Sequence, residues 1–119
     1  MAAFAARKLR TVLRNVQAVL AIELLVGAQA VEWRTMETAR DPDGVNTPRK
    51  PFRDWEEADE ESRQFSEWTK SRAPIAEWLG DGTRKAYQLI RDQASPMLTD
   101  RTLDGDLRAV RAVVEAGRV

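Results

Sequence analysis

Apolar positions recur along the first third of the chain with the period of an α-helix. Leu9, Val12, Leu13, Val16, Leu20, Leu24 and Val31 fall on one stripe at about 100° per residue. The stretch Ala2–Arg34 lacks proline and is rich in strong helix formers. The spacing predicts one helix of about thirty residues, long for a domain of this size. Between Val16 and Val31 only Gln17, Glu23 and Gln29 are polar. They are six residues apart, so they point about 120° from one another and form no single wet face. A helix apolar all round is buried all round. The pattern therefore predicts that the second half of this helix lies inside a bundle. It also predicts that Glu23 is buried with a partner, because an unpaired buried carboxylate costs several kcal/mol. Gly27 lies on the apolar stripe, where it would admit a second helix closely.

The rest of the chain is punctuated. Asp41-Pro42-Asp43-Gly44, Pro48 and Pro51 predict a loop over Arg40–Pro51. Asp54–Arg72 is charged and reads as a weakly amphipathic helix or partly ordered insert. Pro74–Leu79 reads as a short helix with proline in its first turn and Gly80 after it. Gly82–Gln93 is helical, with Ala86, Leu89 and Ile90 on one face, and Ser95-Pro96 breaks it. Asp104–Ala116 is a last helix, with Leu107, Val110, Val113 and Val114 inward and Gly117 beyond its end. No strand pattern or internal repeat occurs. The expected fold class is all-α: a single domain over 1–119 with one long buried N-terminal helix (about 2–34), a loop and charged insert (about 40–72) and closing helices (about 74–116). A thirty-residue helix spans about 45 Å. The short, half-apolar helices cannot cover it on all sides, so the missing cover is expected from another chain in an oligomeric helical bundle.

Composition narrows the chemistry. The chain has 119 residues, with 19 Lys+Arg and 19 Asp+Glu, and its formal net charge is zero. That gives no global pull toward nucleic acid or an anionic membrane. It has no Cys and no His, which removes thiolate chemistry, the commonest general base and the commonest metal ligand. Those absences argue against a self-contained hydrolase or a zinc site. Mean hydropathy is −0.50. The apolar run Ala18–Ala30 is shorter than the roughly 20 residues of a membrane span. Glu23 and the dispersed basic residues argue against a signal peptide. A cytoplasmic location, with no membrane and no nucleic acid as partner, is the expectation.

Five local features invite a functional reading and are better read structurally. Arg7, Lys8, Arg10 and Arg14 could bind phosphates, but no aromatics interleave for base stacking. Glu56–Glu61 holds five acids but lacks the glycine turn and alternating ligands of a calcium loop. Gly80-Asp81-Gly82-Thr83 lacks the lysine of a phosphate loop and reads as a turn and cap. Trp33, Trp55, Trp68 and Trp78 read as core or interface anchors. Glu23 could act as a general acid or base if burial raised its pKa, but a paired structural carboxylate is the better reading. No catalytic, cofactor-binding or metal-binding residue is assigned in this chain.

Three segments resemble a known family. "AARKLRTVLRNVQAVLAIELLVGAQAVEWR" (Ala5 to Arg34) is similar to the C-terminal region of the histidine and aromatic amino-acid ammonia-lyases. A helix of the form AIELL-x-AAQ-x-x-x-x-R runs there through the core of a helical tetramer. Ala21-Ile22-Glu23-Leu24-Leu25, Ala28-Gln29 and Arg34 match it. "GDGTRKAYQLIR" (Gly80 to Arg91) and "PMLTDRTLDGDL" (Pro96 to Leu107) resemble later segments of the same region; the second carries Asp100-Arg101 of the family's closing P-x-x-x-DR-x-L-x-x-D. Arg40–Arg72 departs from the family, whose corresponding link is shorter. The resemblance implies elimination of ammonia from an amino acid by a methylidene-imidazolone electrophile formed from an internal Ala-Ser-Gly. This chain has Ala94-Ser95-Pro96 instead, and it lacks the family's catalytic tyrosine loop and the Gln-Glu-Asp-His-type stretch. Met1 aligns with the methionine that ends that stretch.

The resemblance thus implies a small subunit or C-terminal fragment of an amino-acid ammonia-lyase with a histidine or aromatic substrate. It would complete a tetramer-type assembly with a larger chain that carries the methylidene-imidazolone and binds the small amino-acid substrate. The expected structural and assembly residues are Glu23, Gln29, Gly27, Arg34, Asp100 and Arg101. A related 2,3-aminomutase subunit and a non-enzymatic helical interaction protein are the alternatives.

Overall fold

The computed structural model describes residues 1–40, 55–70 and 72–119. The expected loop over Arg40–Pro51 falls, beyond Arg40 itself, outside the described residues, as does the side chain of Trp55. All described regular structure is helical: α1 (Ala2–Arg40), α2 (Trp55–Lys70), α3 (Arg72–Glu77), α4 (Asp81–Arg91) and α5 (Asp104–Glu115). The all-α expectation holds. The charged insert resolves into a regular helix, α2.

α1 runs six residues past Arg34, to 39 residues in all. Thr35 and Met36 are buried in this last stretch and explain the extension. Trp33 stacks flat on Phe65 of α2, with ring centroids 4.0 Å apart and planes at 6°. The Trp68 indole N–H donates to Thr35 Oγ1 at 3.3 Å. These contacts hold α2 along the C-terminal third of α1.

The core gathers Ala21, Leu25 and Ala28 of α1, Ile75 of α3, Tyr87 and Ile90 of α4, Ala94 of the segment after α4, and Val110 of α5. Ala21, Leu25, Ala28, Glu32 and Thr35 recur every three or four residues, so they share one face of α1. Two of them are alanines, which lets neighbouring helices lie close. α5 makes the broadest contact with this face. Its end is locked by a Schellman motif. Gly117 adopts φ 64°, its N–H bonds to Val114 O at 3.0 Å, and the Arg118 N–H bonds to Val113 O at 3.2 Å. Asp104 and Asp106 in the first turn of α5 complement its helix dipole.

The expected burial of α1 is not met within this chain. Residues 1–16 are exposed throughout, and the predicted stripe is open: Leu9 is 69%, Leu13 55% and Leu20 41% exposed. Of that stripe only Leu24 and Val31 pack against the core. A Cβ placed on Gly27 would meet nothing within 4 Å, so no helix of this chain approaches it. A projecting helix also explains the elongated form of 59 × 33 × 25 Å. The radius of gyration, 17.7 Å, exceeds the roughly 13–14 Å of a compact chain this long.

Candidate functional site

Among the described residues the buried carboxylate is Glu32, nine residues after Glu23 and so on the opposite side of α1. Glu23 is exposed and no described residue pairs with it. The expected burial and pairing of Glu23 therefore do not occur within the single chain. The physical reason is the choice of inward face. α3, α4 and α5 take the alanine-lined face, not the leucine stripe.

Glu32 and Arg91 form a forked pair with side chains 0% and 1% exposed. Arg91 Nε donates to Oε1 at 2.6 Å and Nη2 to Oε2 at 2.8 Å. The Tyr87 hydroxyl donates to Oε1 at 2.9 Å. Arg91 also donates to Ala94 O and Gln29 Oε1, each at 3.3 Å. Tyr87 and Arg91 are one helical turn apart, so α4 presents both to the same carboxylate. The forked geometry admits one register of α4 on α1.

Gln29 extends this network. Its Nε2 donates to Met97 O at 3.1 Å, and its Oε1 accepts the Met97 N–H at 3.0 Å. The amide thus pins the segment that follows α4 against α1, as a strand partner would. Gln29→Ala is expected to destabilise the chain by about 1–3 kcal/mol, because it removes both Met97 bonds and the Arg91 bond at once. A shift in the urea midpoint, with an unchanged denaturant slope, checks it.

Arg101, further along, pairs with Asp106 Oδ2 at 2.5 Å and donates to Ser95 O at 3.3 Å. It ties the link between α4 and α5 to the start of α5. Asp100 is exposed, as is Arg34. Of the six expected assembly residues, Gln29 and Arg101 are thus joined to the folded core of this chain. Glu23, Gly27, Arg34 and Asp100 lie at its surface.

Beside the pair opens a groove of ≈ 260 Å³. Leu25, Val26, Ala30 and Trp33 form one wall and Met97 and Leu103 the other; Gln29 and Arg91 contribute polar edges. Val26 is 61% exposed, so the groove runs out onto the open face of α1.

The remaining candidates stay at the surface. Arg7, Lys8, Arg10 and Arg14 are exposed. Gly80 caps α4 without a side-chain bond, and Asp81 occupies the first turn. A carboxylate there complements the helix dipole and repels an anion, so the turn is a cap. Glu60 is exposed and held by Arg63 and Gln64; the Arg63 bond depresses its carboxyl pKa, with Gln64 adding to the effect. No group of acids that could hold a metal occurs among the described residues. Trp78 is 54% exposed.

The arrangement is structural rather than catalytic. Both oxygens of Glu32 are occupied by donors of the same chain, and the pair is closed to solvent. The residues also do not fit a methylidene-imidazolone, since Ala94-Ser95 is followed by Pro96 and no Ala-Ser-Gly exists. Sequence reasoning missed Glu32, Tyr87 and Arg91. The available signal was Glu32 in step with Ala21, Leu25, Ala28 and Thr35.

A sequence model of the family described as "Aromatic amino acid lyase" matches residues 1–53. The chain is similar over all 119 residues to the histidine ammonia-lyases of Caldanaerobacter subterraneus subsp. tengcongensis (31% identical) and Natranaerobius thermophilus (29%). That of Symbiobacterium thermophilum is also 31% identical over the same span. The chain covers 16% of the length of each of these relatives. No solved structure matches it.

Proposed function

From the premise that the chain is a partial member of the histidine and aromatic amino-acid ammonia-lyase family, we propose that it completes the helical core of an amino-acid ammonia-lyase. It acts as a small subunit or C-terminal piece, beside a larger chain that holds the active site. The observation that carries this reading is the open apolar face of α1. Phe4, Leu9, Val12, Leu13, Val16, Val19, Leu20, Ile22 and Val26 are each at least 41% exposed on one helix. Such a contiguous patch marks an interaction surface.

The cover is protein rather than lipid. α1 is long and apolar enough to cross a membrane by length and composition. However, Glu23 sits in the middle of its apolar part, where hydrocarbon would cost about 2.5–3.5 kcal/mol. The C-terminal third is moreover committed to this chain's own core. A helical protein surface can supply a donor to Glu23, and hydrocarbon cannot. The assembly is then a cytoplasmic one of tetramer type.

The chemistry follows from this division. The larger chain would hold the methylidene-imidazolone, which would supply the electrophile for release of ammonia. This chain fixes helix positions through Glu32–Arg91 and Gln29–Met97, and it presents the start of α1 to the partner. The positive end of that helix dipole favours anionic groups near Met1–Phe4.

The purified chain alone is expected to release no unsaturated acid from histidine, tyrosine or phenylalanine, because it carries neither Ala-Ser-Gly nor His. Ultraviolet absorbance of the product reads this directly. Turnover by the isolated chain would overturn the division of labour; turnover restored by a companion bearing Ala-Ser-Gly would support it. Product analysis separates release of ammonia from its migration to the neighbouring carbon.

A further inference from the structure

We draw no further inference here: the strongest candidate, the apolar groove between Trp33 of α1 and Met97 and Leu103 of the segment after α4, runs out onto the exposed face of α1, and nothing in the structure shows what covers it.

Discussion

Arg91→Ala is expected to remove a large share of this chain's stability. The substitution leaves the Glu32 carboxylate fully buried with the Tyr87 hydroxyl as its remaining side-chain donor. Breaking a buried pair on one side costs about 3–5 kcal/mol, against a total stability of about 5–15 kcal/mol for a domain. Arg91→Lys should fall between, since it keeps the charge and loses the fork. The double change Glu32→Leu with Arg91→Met should recover much of the loss, because no unpaired charge then remains. Helical circular dichroism against urea reads all three. A loss below about 1 kcal/mol for Arg91→Ala would contradict the role given to the pair.

A charge on the open face should do the opposite: spare the fold and abolish assembly. Leu13 and Leu20 lie outside the buried core and are 55% and 41% exposed. Leu13→Asp with Leu20→Asp should therefore leave the core of α1, α4 and α5 intact. In the assembly each leucine contributes about 1.5–3 kcal/mol of burial, and each new carboxylate would be desolvated. Association should weaken at least about a hundredfold, since about 1.4 kcal/mol is a factor of ten. Analytical ultracentrifugation gives the assembly state, and circular dichroism confirms that helix content is kept. Unchanged association would mean that this face is not the interface.

The contrast between these two substitutions also marks what the sequence made legible. Helix positions were readable because their ends are local. Gly117 closes α5, Gly80 precedes α4, and Ser95-Pro96 follows it. The inward faces of α4 and α5 were readable in outline from Ile90, Val110 and Val113. The inward face of α1 was not. Leucine and valine mark one stripe by size, whereas the chain packs its own helices against Ala21 and Ala28. The expectation of a paired, buried carboxylate was sound, but it fell on Glu23 and the fold uses Glu32. Its donors, Tyr87 and Arg91, lie 55 and 59 residues away, and no local pattern announces them. The leucine stripe has no partner within the chain. That is why burial read from periodicity alone ran ahead of the single-chain fold.

The central claim is that this chain works as part of an ammonia-lyase built with a larger partner. The most direct measurement is purification of the tagged chain from its own cells, with mass-spectrometric identification of its companion and a product assay on the complex. The account predicts a stoichiometric companion carrying Ala-Ser-Gly, and a complex that converts histidine or an aromatic amino acid into ammonia and the unsaturated acid. A chain recovered alone as a folded monomer, or with a companion that lacks Ala-Ser-Gly and releases no ammonia, would contradict it.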